Sequence, residues 1–595
     1  MSKRIAVLSE EIANKIAAGE VVERPASIVK ELVENSIDAG ATDIRVELEK
    51  GGCQSIKVVD NGSGIESEDV ALVFERHATS KIYKFEDIYQ VTSFGFRGEA
   101  MPSIASIARV ELLTRKKEDL AGTKAVVKAG TIKEISPAGC PMGTQIFVNN
   151  IFANIPARKK FLKKETTEQS LCLDAITRVA LAYPHIRFTA LVNGREVFAA
   201  PVANNLSERI AAVIGMDFSA NCIPLHNEKE HISLTGFISH PEFTRSNSKN
   251  IFLFVNKRFV RDNSLTHAAL SAYRQVIQPR RYPAVVLFIE LPAQDVDVNV
   301  HPAKLEVRFK DSRGLYELIS NTVAQNLAEA KNVKGSFIYR LTPRGKTITS
   351  DITRQTTNLQ GQYEGLFSRD KLRAAIAGDL QKRSVEEKVH IAKHDVDEAK
   401  EEKIFSNFKY IGQFANTYIV FDDNNDLVLL DQHAAHERII LERLKKTAGQ
   451  KIISQQLLIP EIVSLSPGQI SLFSDYIDLL NQIGLEVEIF GRDALAVKAL
   501  PAILSHSQAK EVISDIADKL SEQSPLSSWQ EKKEKIFAAL ACRAAIKANY
   551  VLSLEEVEVL CRDLDDTPFN LTCPHGRPIR IRFSLSEIER MFKRK

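Results

Sequence analysis

The break that begins near Pro343 constrains the fold of this chain more than any other feature. The stretch Gly345-Lys-Thr-Ile-Thr-Ser-Asp-Ile-Thr-Arg-Gln-Thr-Thr-Asn-Leu-Gln-Gly carries too few large apolar residues to build a core. Gln381-Lys-Arg-Ser-Val-Glu-Glu-Lys and the mixed-charge run Asp395-Val-Asp-Glu-Ala-Lys-Glu-Glu-Lys follow it. Together they predict a solvated, flexible linker over residues 336–404. Strand and helix patterns run up to that linker, and apolar strands resume at Tyr410-Ile-Gly-Gln-Phe and Tyr418-Ile-Val-Phe. The 595 residues therefore divide into two folded halves instead of closing around one core.

Composition removes several function classes. Hydrophobic residues at 44% and charged residues at 26% are ordinary for a globular protein, and no apolar run nears the roughly 20 residues of a membrane span. The start Met1-Ser-Lys-Arg-Ile-Ala-Val lacks the apolar stretch of a secretory signal, which predicts a cytoplasmic protein. A net charge of +3 leaves any nucleic-acid contact to local basic patches. The candidates are Arg158-Lys-Lys160, Lys257-Arg258, Arg261 and Arg280-Arg281. Seven cysteines in a chain this long do not make a disulfide framework. Cys53, Cys140, Cys172, Cys222 and Cys561 read as small buried or incidental residues. Cys542 and Cys573 stand in more telling surroundings.

In the first half, Pro25 and Ser27 start a helix and Gly40 stops it, with Ile28, Leu32 and Ile37 as its apolar stripe. Glu31, Asn35 and Asp38 share another face, which suits either a solvated surface or a site. An alternating strand (Ile44, Val46, Leu48) precedes Val58-Val-Asp60-Asn-Gly62-Ser-Gly64. That is an acid at a strand end, followed by two glycines able to take positive φ. Its carboxylate can accept from an exocyclic amine, although Asp-Asn-Gly also makes simple turns. Ser93-Phe-Gly95-Phe-Arg97-Gly98-Glu-Ala is a glycine-rich loop running into a helix, whose free N–H groups favour phosphate.

In the second half, the apolar strand Leu427-Val-Leu-Leu-Asp431 leads into a helix carrying His433 and Glu437 at i, i+4, a spacing that chelates one metal. Arg438, Glu442 and Arg443 leave open a plain salt-paired helix. Far downstream lie Ala541-Cys542-Arg543 and Cys573-Pro-His575-Gly-Arg-Pro, whose Cys-x-His donors point the same way if that segment is extended. Gln455-Gln-Leu457-Leu458-Ile-Pro460 reads as a strand entering a loop or as a docking peptide.

Taken in order, these segments resemble the GHKL ATPases, and their wording is similar to that of the MutL family of DNA mismatch repair proteins. The matching stretches are Ile16-Ala-Ala-Gly-Glu-Val-Val-Glu-Arg-Pro-Ala-Ser, Glu31-Leu-Val-Glu-Asn-Ser, Asp60-Asn-Gly-Ser-Gly-Ile, Arg76-His-Ala-Thr79-Ser-Lys81 and Gly95-Phe-Arg-Gly-Glu-Ala100. The P-loop pattern does not occur. The resemblance implies that Glu31 activates the water attacking the γ-phosphate of ATP, while Asn35 holds Mg²⁺. Asp60 would read the adenine amine with Thr144 nearby. Gly64, Thr79, Gly95, Phe96, Arg97 and Gly98 would line the nucleotide, and Lys304 would reach the γ-phosphate from a second subdomain.

The second half resembles the endonuclease form of the family, whose Asp-Gln-His-Ala, two residues, Glu, four residues, Glu signature runs intact from Asp431 to Glu442. It implies a metal cluster of Asp431, His433, Glu437, Cys542, Cys573 and His575 holding Zn²⁺ and/or Mn²⁺, with Asp431 and Glu437 catalytic. Gln455, Leu457, Leu458 and Pro460 would dock on the replication sliding clamp. Other implied partners are DNA, the mismatch-recognition protein MutS and a second copy joined through the C-terminal domain. The expected architecture is α/β multidomain: a GHKL ATPase sandwich (1–220), an S5-like α/β transducer subdomain (221–335), the linker (336–404) and an α+β dimerisation and endonuclease domain (405–595). The competing reading is a non-catalytic, ATP-dependent matchmaker whose Cys/His cluster is a structural zinc site.

Overall fold

The computed structural model describes residues 22–81, 98–274, 276–277, 281–297, 307–339, 404–446, 453–504, 509–521, 529–545, 550–574, 576–592 and 594, without the side chains of 331–339 and 529–532. Helix α1 (Pro25–Asp38) begins with Pro25 at its first turn and ends before Gly40, which takes φ +73°. Arg24 stands at the cap position, and no side chain caps the helix. Ser27, expected to help start it, instead donates its backbone N–H to the Arg24 carbonyl. Ile28 and Leu32 of the predicted stripe, with Val29 and Val33 beside them, are at most 1% exposed, while Ile37 is only partly buried.

That stripe belongs to the core of an eight-stranded sheet ordered β5-β4-β3-β6-β2-β1-β7-β8. Its strands are β1 (Asp43–Glu49), β2 (Ser55–Asp60), β3 (Arg109–Arg115), β4 (Gly122–Lys128), β5 (Thr131–Ala138), β6 (Gly143–Asn149), β7 (Arg187–Val192) and β8 (Arg195–Ala200). Only β1 and β7 pair in parallel. Alternation in β1 buries Ile44, Val46 and Leu48 at 0–1% exposure, as period two requires. Helices α2 (Ala100–Ile107) and α3 (Glu165–Ala182) contribute to the same core. Pro102 sits in the first turn of α2, where its missing N–H costs no helical bond.

A second, five-stranded mixed sheet follows, ordered Arg258–Val260, Ile251–Val255, Val285–Glu290, Ile232–Ser239, Cys222–Lys229. Phe252, Phe254 and Val286 of this sheet join the core of the first, so apolar packing is continuous across the boundary expected at 220. A long helix, Ser312–Tyr339, closes the second core and runs past the boundary expected at 335. The predicted linker otherwise lies outside the described residues, apart from Ile404.

The C-terminal half holds an antiparallel four-stranded sheet that includes Tyr418–Asp423, Asp426–Asp431 and Arg580–Phe583, and a three-stranded sheet centred on Ala494–Pro501. Helix α4 (Gln432–Lys446) leaves the first sheet directly and buries Ile440, Leu441 and Leu444 in the core around the second. Among the described residues, no helix is long and apolar enough to cross a membrane.

Candidate nucleotide and metal sites

Strand register assembles the first site. Asp60 of β2 lies opposite Thr144 of β6, which in turn lies opposite Thr114 of β3. Three adjacent strands thus present polar side chains at one level of the otherwise apolar buried face of the sheet. Thr144 donates its N–H to Asp60 Oδ1 at 3.3 Å, and Gly62 donates its own at 2.9 Å. Ser36 Oγ donates to Oδ2 at 2.8 Å. Asp60 is 8% exposed, and burial pushes its carboxyl above the ordinary carboxylate range despite those three hydrogen bonds. The Thr114 and Thr144 hydroxyls lie 3.1 Å apart.

Ser36 and Thr114 were not singled out from the sequence. Ser36 follows Leu32 by four residues, so a hydroxyl on the buried stripe was the available signal. Asn61 stays outside this network; its Oδ1 accepts the N–H groups of Thr42 and Asp43 at 2.8 and 2.9 Å and fixes the entry to β1.

Two glycines here are required by backbone approach. Gly64 has φ +74°, and a Cβ there would sit 2.4 Å from the Arg115 carbonyl oxygen; at Gly143, φ is +105° and the Asp60 carbonyl would be 2.1 Å away. Gly64→Ala is expected to cost about 2 kcal/mol or more of stability, read as a lower midpoint in a denaturant melt with unchanged slope.

On the polar, largely covered side of α1, Lys30 Nζ lies 3.2 Å from Glu31 Oε1 and 3.4 Å from Glu34 Oε2. Burial alone would lower the Lys30 pKa, but Glu34 and Glu31 outweigh it and hold the ammonium above its ordinary value. One turn further on, Lys81 Nζ donates to Asn35 Oδ1 at 3.1 Å and to Asp38 Oδ2 at 2.5 Å. The amide and the second carboxylate therefore already share a positive charge, so their donor chemistry fits a cation. The Lys81 N–H donates to Thr79 Oγ1 at 3.2 Å, and the His77 N–H to the Gly98 carbonyl at 3.2 Å. The second bond brings the segment just before Thr79 against Gly98, near the end of the glycine-rich loop. Gly95, Phe96, Arg97 and Lys304 lie outside the described residues.

The second site is partly assembled. Glu437 is 3% exposed, and the Cys542 thiol hydrogen-bonds to it. Desolvation, and then the Glu437 carboxylate, push that thiol up to about 12, although part of the Cys542 surface stays exposed. Asp431 Oδ1 accepts the N–H groups of His433 and Ala434 at 3.0 Å each, so this carboxylate caps α4. Gln432, fully buried, donates to the Asn416 and Tyr550 carbonyls at 2.9 and 3.1 Å. Its place in the Asp-Gln-His-Ala sequence is thereby structural.

Cys573 is 2% exposed, and its segment is not extended. Pro574 and positive-φ Gly576 fold the segment into a tight turn, in which the Cys573 N–H reaches the Arg577 carbonyl at 2.8 Å and the Gly576 N–H returns to Cys573 at 2.9 Å. Arg438 Nε ties α4 to this turn through the Thr572 carbonyl at 2.7 Å. Glu442 pairs with Arg438 at 3.1 Å and Lys445 at 3.2 Å, as in a salt-paired helix. His436 is pushed down to about 4 by desolvation, then by Arg443 and His433. Among the described residues, no three His, Cys, Asp or Glu side chains converge tightly enough to hold one ion, and His575 lies outside them.

Strand Ser454–Ser464 carries the Gln-x-Leu-Leu-x-Pro segment as an irregularity, its register slipping between Gln456 and Glu461. Leu457 packs on the core, whereas Leu458 is 99% exposed. Two of the basic residues that are candidates for nucleic-acid contact have internal partners. Arg158 reaches the Val22 carbonyl at 3.3 Å, and Arg281 pairs with Asp515 at 2.7 Å.

Residues 23–136 match the family of histidine kinase-, DNA gyrase B- and HSP90-like ATPases. Residues 210–328 match the DNA mismatch repair protein C-terminal domain, and 411–552 the MutL C-terminal dimerisation domain. The DNA mismatch repair protein MutL of Syntrophus aciditrophicus (strain SB) is 46% identical over 623 residues, spanning 100% of both chains. That of Geotalea daltonii is 40% identical over 599 residues, again across 100% of both. The solved Aquifex aeolicus MutL ATPase domain complexed with ADP is 33% identical, with a TM-score of 0.36 over 46% of this chain and 93% of that one. Full-length identity at this level, with an ATPase domain ahead of a dimerisation domain, places the chain in the MutL family of DNA mismatch repair proteins.

Proposed function

We propose that this chain is an ATP-hydrolysing switch in mismatch repair whose C-terminal half nicks DNA with the help of bound metal. The observation that carries the nuclease half is the meeting of Glu437 with Cys542, a carboxylate and a thiol of the kinds that ligate metals, brought together from distant parts of the sequence. A buried carboxylate against a thiol of raised pKa is a donor pair that a cation would stabilise.

In the N-terminal half, Asp60 would accept the adenine amine while Ser36, Gly62 and Thr144 hold its oxygens still. Glu31 would orient the attacking water, and Asn35 would help hold Mg²⁺, which when bound neutralises phosphate charge. Gly98 and the Thr79 loop would border the phosphates. Gly64 would keep the backbone close to the ring, and Gly95, Phe96, Arg97 and Lys304 would complete the enclosure. In the C-terminal half, Asp431, His433, Glu437, Cys542, Cys573 and His575 would hold Zn²⁺ or Mn²⁺, a Lewis acid toward the scissile phosphate. The chain's own part is to fix α4 against the Cys573 turn through Arg438, which keeps the donors in place.

The exposed Leu458 beside a slipped strand supports docking of Gln455, Leu457, Leu458 and Pro460 on a sliding clamp. Dimerisation through the C-terminal half, contact with MutS and action in the cytoplasm complete this reading. A second reading, the matchmaker with a structural metal, is favoured by one observation: Asp431 already serves as a helix cap.

Glu31→Ala is expected to lower ATP turnover about 100-fold, the range for loss of a positioned general base. Basal nicking of supercoiled plasmid with Mn²⁺ should survive in the same protein. Undiminished turnover in a steady-state phosphate-release assay would remove Glu31 from the chemistry.

A further inference from the structure

Helix Ala509–Ser521 turns an acidic face inward: Asp515 is 7% exposed and Asp518 is 1% exposed. Much of what covers them comes from the N-terminal half, with Gln469 Nε2 of the C-terminal half donating to Asp518 Oδ1 at 3.4 Å. Arg281 NH1 donates to Asp515 Oδ1 at 2.7 Å, while its Nε and NH2 hold Thr244 at 3.0 Å each. Ser246 gives Asp518 Oδ2 both its backbone N–H and its hydroxyl, each at 3.0 Å. Asn247 Nδ2 donates to the Asp518 carbonyl at 2.9 Å, and Arg245 donates to Ser514. The other oxygen of Asp515 takes Arg543 Nε at 2.6 Å, within the C-terminal half.

Two guanidinium groups, a backbone N–H, a hydroxyl and an amide NH₂ all donate from this patch. That donor set suits phosphate oxygens as well as it suits carboxylates. Thr244 fixes two edges of Arg281 and leaves the third directed at an anion. We propose that the acidic face of helix Ala509–Ser521 is the internal occupant of a DNA-phosphate-binding patch made by Arg245, Ser246, Asn247 and Arg281. The two halves of one chain hold the patch closed until DNA displaces the helix. The proposal rests on the DNA-binding reading above, which binding of duplex by the parent protein tests separately.

The experiment is fluorescence anisotropy of a labelled duplex with the full-length chain, titrated across a range of salt. The double variant Asp515→Asn, Asp518→Asn is expected to bind about tenfold more tightly, with a log K against log salt slope steeper by about two, because each freed arginine adds a phosphate contact worth about 0.9. Adding Arg281→Ala to that variant should reverse part of the gain. Hydrogen exchange at residues 244–247 should speed up in the double variant and slow again in the charge swap Arg281→Glu with Asp515→Arg. Equal duplex affinity of parent and double variant, both binding, overturns the proposal. So does unchanged exchange at 244–247. If neither protein binds duplex, the DNA reading falls with it. If mixing the single variants Arg281→Glu and Asp515→Arg restores protection, the contact lies between copies, which overturns the single-chain assignment.

Discussion

Asp60→Asn is expected to weaken ATP binding by about a thousandfold while leaving the nucleotide-free protein at least as stable as the parent. The substitution keeps shape and exchanges one acceptor for a donor. Asn can present its single carbonyl oxygen to the Gly62 and Thr144 N–H groups, which now converge on Oδ1. Its NH₂ then faces Ser36, whose hydroxyl now donates to Oδ2 at 2.8 Å and can turn to accept instead. The fold loses no hydrogen bond. An incoming adenine amine, however, meets a donor where it needs an acceptor. An unmatched buried polar pair of this kind is worth about 4 kcal/mol, the equivalent of a thousandfold.

The pH dependence of stability gives an independent reading of the same residue. Burial holds the folded Asp60 pKa above its ordinary value, so the fold favours the protonated form. The native state then binds more protons than the unfolded chain between the ordinary and the raised value. Stability falls as pH rises through that window. Asparagine cannot ionise and escapes this cost. Thermal melts of the nucleotide-free proteins should therefore show the variant gaining on the parent as pH rises toward neutrality, and losing that advantage in acid. Nucleotide affinity within tenfold of the parent, measured by calorimetry, would exclude Asp60 from the adenine contact.

How much of this was legible in the sequence depended on whether the signal was local. Helix α1 and strand β1 were readable because their apolar periods, 3.6 and two, are written in consecutive residues. Asp60 was legible as a strand-end acid before glycines. Thr144 was named beside it only through the family resemblance, and Thr114, which meets Thr144, was not named at all, because strand register brings these residues together and no short window holds that information. Asp431 was read as a ligand from its motif, and the cap it makes to His433 and Ala434 depends on where the strand stops and α4 starts. The Cys573 turn was not legible, because alternation says nothing about Pro574 and Gly576 closing a hairpin. Arg281 carried no sign of an internal partner. Asp515, which takes it, belongs to the other half of the chain.

Glu437→Gln should lower Mn²⁺-dependent nicking of supercoiled plasmid by about a thousandfold, the loss expected when about 4 kcal/mol of metal-assisted charge stabilisation goes. The expected effect is large because Glu437 is 3% exposed and sits on the inner face of α4, where no water can substitute for the lost charge. Glutamine fills the same volume, so the packing of Ile440, Leu441 and Leu444 on the core is undisturbed. The apo fold should even tolerate the change well. Glutamine keeps an oxygen that can accept from the Cys542 thiol, which desolvation first and Glu437 second push up to about 12 and so keep protonated. The contrast with Glu442 sharpens the test. That carboxylate is already neutralised by Arg438 and Lys445, and Glu442→Gln should cost stability more than nicking. Parallel plasmid assays with equilibrium zinc binding on both variants separate the outcomes. Full nicking by Glu437→Gln would leave the C-terminal half a dimerisation and docking module, whereas lost zinc binding with lost nicking would assign Glu437 to the metal itself.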